Sequence, residues 1–393
     1  MAKIASPVGY YDIQIVDYPI PEPMDDGVVV KVDAAAICGS DRGIIDFKEH
    51  HMAGVMGHEF CGRVVSMGKD AKKSIHCYGG ELEIGDRIVV YPHITCGHCA
   101  GCLRYGPGVC GACTEEFFYG GGWDYEGDPS VTEIYNLDVS KWPHFKGGFA
   151  EYVYIFPGTY VWKVPNDMPS EIAALLDPLA VAVRAIEQGM TTMGSIEEGL
   201  STSSTALIVG AGAIGVMAGM ILKHMGVSTL IFSDMKAKKL ALAQEIAGAD
   251  IVLNVAGMTS EERVSKVLEL TRGGADFVIN CANHPASQVE ALQMVHFMGY
   301  YVEVGNTGYA GDDPYMANVN LTNLIFNRNI HVTGLVANSN KTFDRSFRLL
   351  KKHNEIPFHK LITHKFQTLE ELVPTLKKMG DDDYLKGVWI PEE

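Results

Sequence analysis

The chain has 393 residues, 47% hydrophobic and 20% charged, with a formal net charge of −16. That length exceeds one ordinary core and predicts two domains, each able to bury its own interior without a disulfide staple. An acidic surface repels phosphate backbones and anionic lipid, so nucleic acid and membrane surfaces are excluded as partners and small molecules are favoured.

The opening residues, MAKIASPVGYYDIQIVDYPIP, contain no apolar run of signal-peptide length, so a cytoplasmic, reducing setting is expected. Up to about residue 170 the chain offers short strands, VVVKVDAAAIC, GRVVSMG, DRIVVYP and AEYVYIF, separated by Gly and Pro turns. This predicts an irregular, mostly-β domain. Within it, Cys38 and the pair His58-Glu59 supply a soft ligand, an imidazole and a carboxylate that could hold zinc and leave one position open. Taken singly, each is better explained otherwise: Cys38 as a small buried hydrophobe, His58 as a satisfied loop residue and Glu59 as a surface charge.

Residues 96–110, CGHCAGCLRYGPGVC, gather four of the nine cysteines. A disulfide frame does not suit a reducing compartment, and the usual iron–sulfur runs close with other spacings. Cys96, Cys99, Cys102 and Cys110 therefore predict a closed tetrahedral zinc site of structural character, with Cys113 as a spare thiol. A closed shell offers substrate no position, so the chemistry is expected elsewhere. Residues 114–146 form a long loop-like stretch whose Phe117, Phe118, Tyr119, Trp123, Tyr125 and Trp142 are expected to border a substrate cleft or a subunit interface.

From about residue 205 strands alternate with helices: TALIVG then AIGVMAGMILKHMG, STLIFSD then KAKKLALAQEIAG, ADIVLN then SEERVSKVLELTRGG, ADFVINCA then ASQVEALQMVHFMG, and finally YYVEVG. Strict alternation predicts a parallel, doubly wound sheet, with helix stops at Gly226, Gly248, Gly273 and Gly299. The uncharged run TALIVGAGAIGVMAGMIL imitates a membrane span, but its glycines make it a strand, a turn and a helix. The turn, Gly210-Ala211-Gly212-Ala213-Ile214-Gly215, matches the dinucleotide fingerprint in its required strand–turn–helix setting. There Gly210 permits the turn, Gly212 the approach of a pyrophosphate to free helix N–H groups, and Gly215 close strand–helix packing. Asp234, 19 residues beyond Gly215, is expected to accept hydrogen bonds from ribose hydroxyls and to repel a 2′-phosphate, favouring NAD over NADP. Lys236 and Lys238 read as exposed first turns of a helix, and Lys239 is assigned to the cofactor site. After about residue 335 the alternation stops and the chain is expected to return to the first domain.

Taken together, ICGSD from Ile37, GHE from Gly57, the cysteine lobe, GGFAEYV from Gly147, LLDPLAVAV from Leu175 and VGAGAIG from Val209 resemble, in order and spacing, the zinc-dependent medium-chain alcohol dehydrogenase family, in its sorbitol and threonine dehydrogenase branch. The resemblance covers nearly the whole chain. It implies an α/β architecture: a mostly-β GroES-like catalytic domain at 1–177 with a structural zinc lobe at 96–113, a Rossmann NAD-binding domain at 178–335, and a return to the catalytic domain at 336–393. It also implies a catalytic zinc held by Cys38, His58 and either Glu59 or Asp177, with Ser40 as the hydroxyl beside the substrate oxygen. Gly43 stands where the family keeps a relay histidine, and His50 and His51 are the candidate substitutes. The implied reaction is reversible NAD-linked oxidation of a small alcohol, polyol or hydroxy compound by a homodimer or homotetramer. An amino-alcohol substrate and a non-catalytic nucleotide-binding role are the alternatives, while the two cysteine sets argue against a zinc-free quinone reductase.

Overall fold

A computed structural model describes residues 1–45, 55–120, 145–190, 200–305, 319–336 and 338–392. Val28–Ala36, rich in valine and alanine and buried on both faces over most of its length, is a central strand of an eight-stranded mixed sheet. Across that sheet run Ile362–Phe366, Lys386–Trp389, Val28–Ala36, Glu59–Met67, Arg87–Val90, Tyr160–Lys163 and His76–Tyr78, with Tyr152–Ile155 pairing beside Val28–Ala36. The antiparallel registers set Ala36 opposite Glu59 on one side and opposite Val388 on the other. Three distant segments therefore meet at the end of one strand, two residues before Cys38.

The second sheet is parallel and six-stranded, in the order Ile251–Asn254, Thr229–Asp234, Thr205–Val209, Ala275–Asn280, Val295–Glu303, His331–Gly334. The chain reverses direction across the sheet between Thr205–Val209 and Ala275–Asn280, and ligands of such folds bind at that switch point, outside the carboxyl ends of the strands. The uncharged run divides as expected, into the strand Thr205–Val209 and the helix Ala213–His224. Among the described residues no helix is long and apolar enough to cross a membrane. The helix Leu176–Met190 buries Leu176, Leu179, Val183 and Ile186 in an apolar cluster that reaches Tyr91 and Trp162 on one side and Ile208 and Phe232 on the other. That helix fixes Asp177 in its first turn.

Gly248 caps its helix in the left-handed region, and Gly226 and Gly273 also have positive φ just beyond helix ends. Gly299 does not stop a helix. The helix Pro285–Gln293 ends earlier, and Val295–Glu303 is a strand with a bulge between Val295, opposite Ala275, and Tyr300, opposite Phe277. Arg328 donates to the Gln293 carbonyl at 3.1 Å and to that of Val295, satisfying backbone acceptors where the helix stops.

Candidate metal and cofactor sites

At the sheet edge defined by Ala36, the ligand atoms of Cys38, His58 and Glu59 all lie within 4.8 Å of one another. His58 and Glu59 are buried and Cys38 is half-buried. The Cys38 N–H donates to Asp41 Oδ2 at 2.7 Å, which fixes the turn that opens the helix Gly39–Ile45. Asp41 Oδ1 approaches His58 Nδ1 to 3.9 Å. Lys386 Nζ donates to Glu59 Oε1 at 2.7 Å, and Oε2 lies 2.5 Å away in the same ion pair without a directed hydrogen bond. Burial would depress the His58 pKa, but the Cys38 sulfur, Asp41 and Asp177 outweigh it and raise the imidazole to about 10. Burial pushes the Glu59 carboxyl up, opposed first by Lys386.

A zinc ion fits this set. Asp41 Oδ1 and His58 Nδ1 are buried without hydrogen-bond partners beside the Cys38 thiol and the Glu59 carboxylate, orphaned polar atoms that a cation would relieve. Asp177 stands aside from the mutual cluster. Its buried carboxylate accepts from Asn338 Nδ2 at 3.2 Å, and its interaction with His58 is through space. Of the two acidic candidates, Glu59 is thus the one gathered with Cys38 and His58. Ser40 is exposed, in the first turn of the helix that follows Cys38. His50 and His51 lie outside the described residues, as do Trp123, Tyr125 and Trp142. Phe118, from the described head of the aromatic stretch, packs its ring 4.9 Å from that of His58. Asp41 lies inside the ICGSD stretch, yet nothing in that motif marks its role, and no local spacing connects Lys386 or Asn338 to Cys38.

In the cysteine lobe one assignment changes. The four thiols within mutual reach are Cys96, Cys99, Cys102 and Cys113, not Cys110. Both spacings permit a four-thiolate shell, and the backbone decides between them. The helix Ala100–Tyr105 ends at Gly106, and the following turn brings Cys113 Sγ within 3.4 Å of the Cys96 N–H. Amide donors surround the sulfurs: Cys99 N lies 3.3 Å from Cys96 Sγ and Cys102 N 3.5 Å from Cys99 Sγ. The Cys102 amide, then that of Thr114, lowers the Cys99 pKa to about 5, toward the thiolate that zinc requires. All nine cysteines are free, so no disulfide frame is present. Cys110 instead lies 3.2 Å from His93 Nδ1 and 3.5 Å from Glu116 Oε1. Burial lowers the His93 pKa to about 3, leaving a neutral imidazole.

At the switch point, Gly210 has φ +98 and a Cβ there would come within 2.8 Å of Ala282 N. A Cβ on Gly215 would strike the Gly210 carbonyl at 2.2 Å, whereas one on Gly212 meets nothing among the described residues. Gly212 caps the helix that begins at Ala213 and Ile214 and offers no side chain to its amides, so the N-terminus faces open space suited to a pyrophosphate. Asp234, ending its strand, accepts from Ala211 N and Lys236 N, both at 2.8 Å. Lys239 is half-buried near Asp234, and burial lowers its pKa. Lys236 differs from expectation. Its ammonium donates to the Gly380 carbonyl and lies 3.4 Å from Asp382, so it ties the cofactor edge to the C-terminal segment.

The alcohol dehydrogenase GroES-like domain family matches residues 24–166, and the zinc-binding dehydrogenase family matches residues 213–352. An L-threonine 3-dehydrogenase of Pyrococcus abyssi is 28% identical over 368 residues, covering 92% of this chain and 90% of the relative. One of Bacillus subtilis is 27% identical over 389 residues, covering 98% and 96%. In fold, the chain is similar to an alcohol dehydrogenase from Thermotoga maritima, with a TM-score of 0.80 at 24% identity, over 100% of this chain and 99% of the other. With both halves matched and both the zinc-ligand sets and the dinucleotide turn in place, the chain is an oxidoreductase that belongs to the zinc-dependent medium-chain alcohol dehydrogenase family.

Proposed function

We propose that the chain reversibly oxidises a small alcohol, polyol or hydroxy compound with NAD, using a catalytic zinc held by Cys38, His58 and Glu59. The observation that carries this reading is the convergence of those three ligand atoms within 4.8 Å, with orphaned polar atoms among them. When bound, zinc supplies a Lewis acid that lowers the pKa of a substrate hydroxyl, and NAD supplies the hydride acceptor.

The chain's own residues do the rest. Three ligands leave one of four tetrahedral positions for the substrate oxygen. Lys386 pairs with Glu59 and orients it, Asp41 fixes the Cys38 turn, and Asn338 holds Asp177 facing His58 through space. Phe118 supplies an apolar wall to the cluster beside His58. Ser40, exposed next to the metal turn, passes the hydroxyl proton outward. Asp234 binds the ribose and disfavours a 2′-phosphate, Lys239 supports that edge, and Gly212 admits the pyrophosphate. The enzyme works in the cytoplasm as a homodimer or homotetramer.

The relatives' name makes L-threonine the first compound to test. A panel of alcohols, polyols, hydroxy acids and hydroxy amino acids, followed by NADH absorbance, should find at least one oxidised substrate whose turnover disappears with Cys38→Ser. Preference for a hydroxy amino acid would favour the amino-alcohol reading. Silence across the panel from zinc-loaded, NAD-binding protein would favour a non-catalytic nucleotide-binding role.

A further inference from the structure

We propose that His93, Cys110 and Glu116 form a third metal site, for a zinc-class divalent cation, distinct from both the Cys38 cluster and the cysteine lobe. In the antiparallel pairing of His93–Ile94 with Phe117–Phe118, His93 lies opposite Phe118, and Glu116, the residue just before that strand, turns its carboxylate back to His93. Cys110 comes from the loop after the lobe helix, and that loop is held at both ends of Gly108, whose N–H donates to Thr95 Oγ1 at 2.8 Å and whose carbonyl accepts from Asn340 N at 2.9 Å.

The three separations are 3.2 Å for Cys110 Sγ to His93 Nδ1, 3.5 Å for Cys110 Sγ to Glu116 Oε1, and 3.7 Å for His93 Nδ1 to Glu116 Oε1. Ordinary zinc bond lengths and tetrahedral angles give ligand–ligand edges of about 3.3–3.6 Å for this donor set. The separations of 3.2, 3.5 and 3.7 Å bracket that range, so the triangle is close in size to one face of a zinc coordination shell and a small shift of the side chains would complete it. Thiolate, imidazole and carboxylate are zinc's three protein donor types. His93 and Cys110 are 7% and 3% exposed, so the soft donors are shielded while Glu116 reaches the surface side. The lobe does not need Cys110, because Cys113 completes its four thiols. The site also adjoins the catalytic cluster: Phe118 stacks on His93 at 4.4 Å and packs against His58 at 4.9 Å. An ion here would brace the strand that carries Phe118 against the metal centre.

The test is zinc content by plasma mass spectrometry of the full chain after dialysis against zinc and gel filtration. The native protein should hold about three zincs per chain, one for each ligand set. His93→Gln and Cys110→Ser should each remove one zinc, and should do so non-additively when combined. Cys113→Ser should remove a different one, so that Cys110→Ser/Cys113→Ser loses two. If His93→Gln fails to fold, Glu116→Gln replaces it, since that carboxylate is partly exposed and its loss should also remove one zinc. Two zincs in native protein with no loss from His93→Gln or Glu116→Gln would overturn the proposal. So would loss of the lobe zinc from Cys110→Ser with none from Cys113→Ser, which would return Cys110 to the lobe.

Discussion

Lys386 and Glu59, 327 positions apart in sequence, form a buried ion pair at 2.7 Å, each less than 5% exposed. Removing one partner of such a pair strands the other charge and costs about 3–5 kcal/mol. Lys386→Met should therefore lower the melting temperature, and more so after chelation, because a bound zinc shares the neutralisation of Glu59. Lys386→Arg should retain most of the stability. Differential scanning fluorimetry with and without chelator checks both, and an equal drop in the two conditions would separate the pair from the metal.

Cys38→Ser and Cys99→Ser should fail differently. The first should fold but lose turnover, since the open site loses a ligand. The second should lower stability or disturb assembly while its surviving folded fraction still turns over, because the lobe contributes folding energy rather than chemistry. Activity per folded, assembled protein, measured after gel filtration, distinguishes them.

Gly212 and Gly215 should also divide. Gly212→Ala meets nothing among the described residues and should keep the native melting temperature, yet weaken NAD binding, since its methyl group enters the space before the helix amides. Gly215→Ala, blocked 2.2 Å from the Gly210 carbonyl, should lower stability itself. Thermal melts paired with NAD titration calorimetry give the readout.

On the proposed cofactor reading, Asp234→Asn removes the charge that would oppose a 2′-phosphate while keeping an acceptor for the Ala211 amide. The ratio of NAD to NADP affinity should fall by about tenfold, or roughly 1.4 kcal/mol. Calorimetry with both cofactors measures it, and an unchanged ratio would remove Asp234 from cofactor choice.

Glu303, which accepts from Asn280 at 3.0 Å, has its carboxyl pKa raised by burial. The folded state therefore holds the proton more tightly than the unfolded chain, and the stability this confers at low pH is lost as pH rises from the unfolded value through the folded one. Glu303→Gln abolishes that loss. Its melting temperature relative to the native protein should be more favourable at pH 7 than at pH 4, and a constant difference would contradict the shift.

The sequence by itself determined whatever chemistry fits within one local unit. Gly210 to Asp234 spans a single strand–turn–helix–strand, so spacing alone fixed the turn, the helix N-terminus and the acid that ends the next strand, and the Cys96-x-x-Cys99-x-x-Cys102 run was equally local. Gly299 lies in a strand and not at a helix stop: helix and strand patterns blur over Val295–Gly299, where Arg328 satisfies the carbonyls of Gln293 and Val295. Only the tertiary structure decided the rest. Cys113 displaced Cys110 because glycine turns at Gly106 and Gly108, with φ of +89 and +79, set the direction of the loop, which two acceptable spacings left open. Glu59 joined Cys38 and His58, with Asp177 set apart, because the registers of Ala36 with Glu59 and with Val388 bring strand ends together and carry Lys386 to the same edge. Those contacts depend on sheet pairing between segments hundreds of residues apart, and no periodicity within any one segment encodes that pairing.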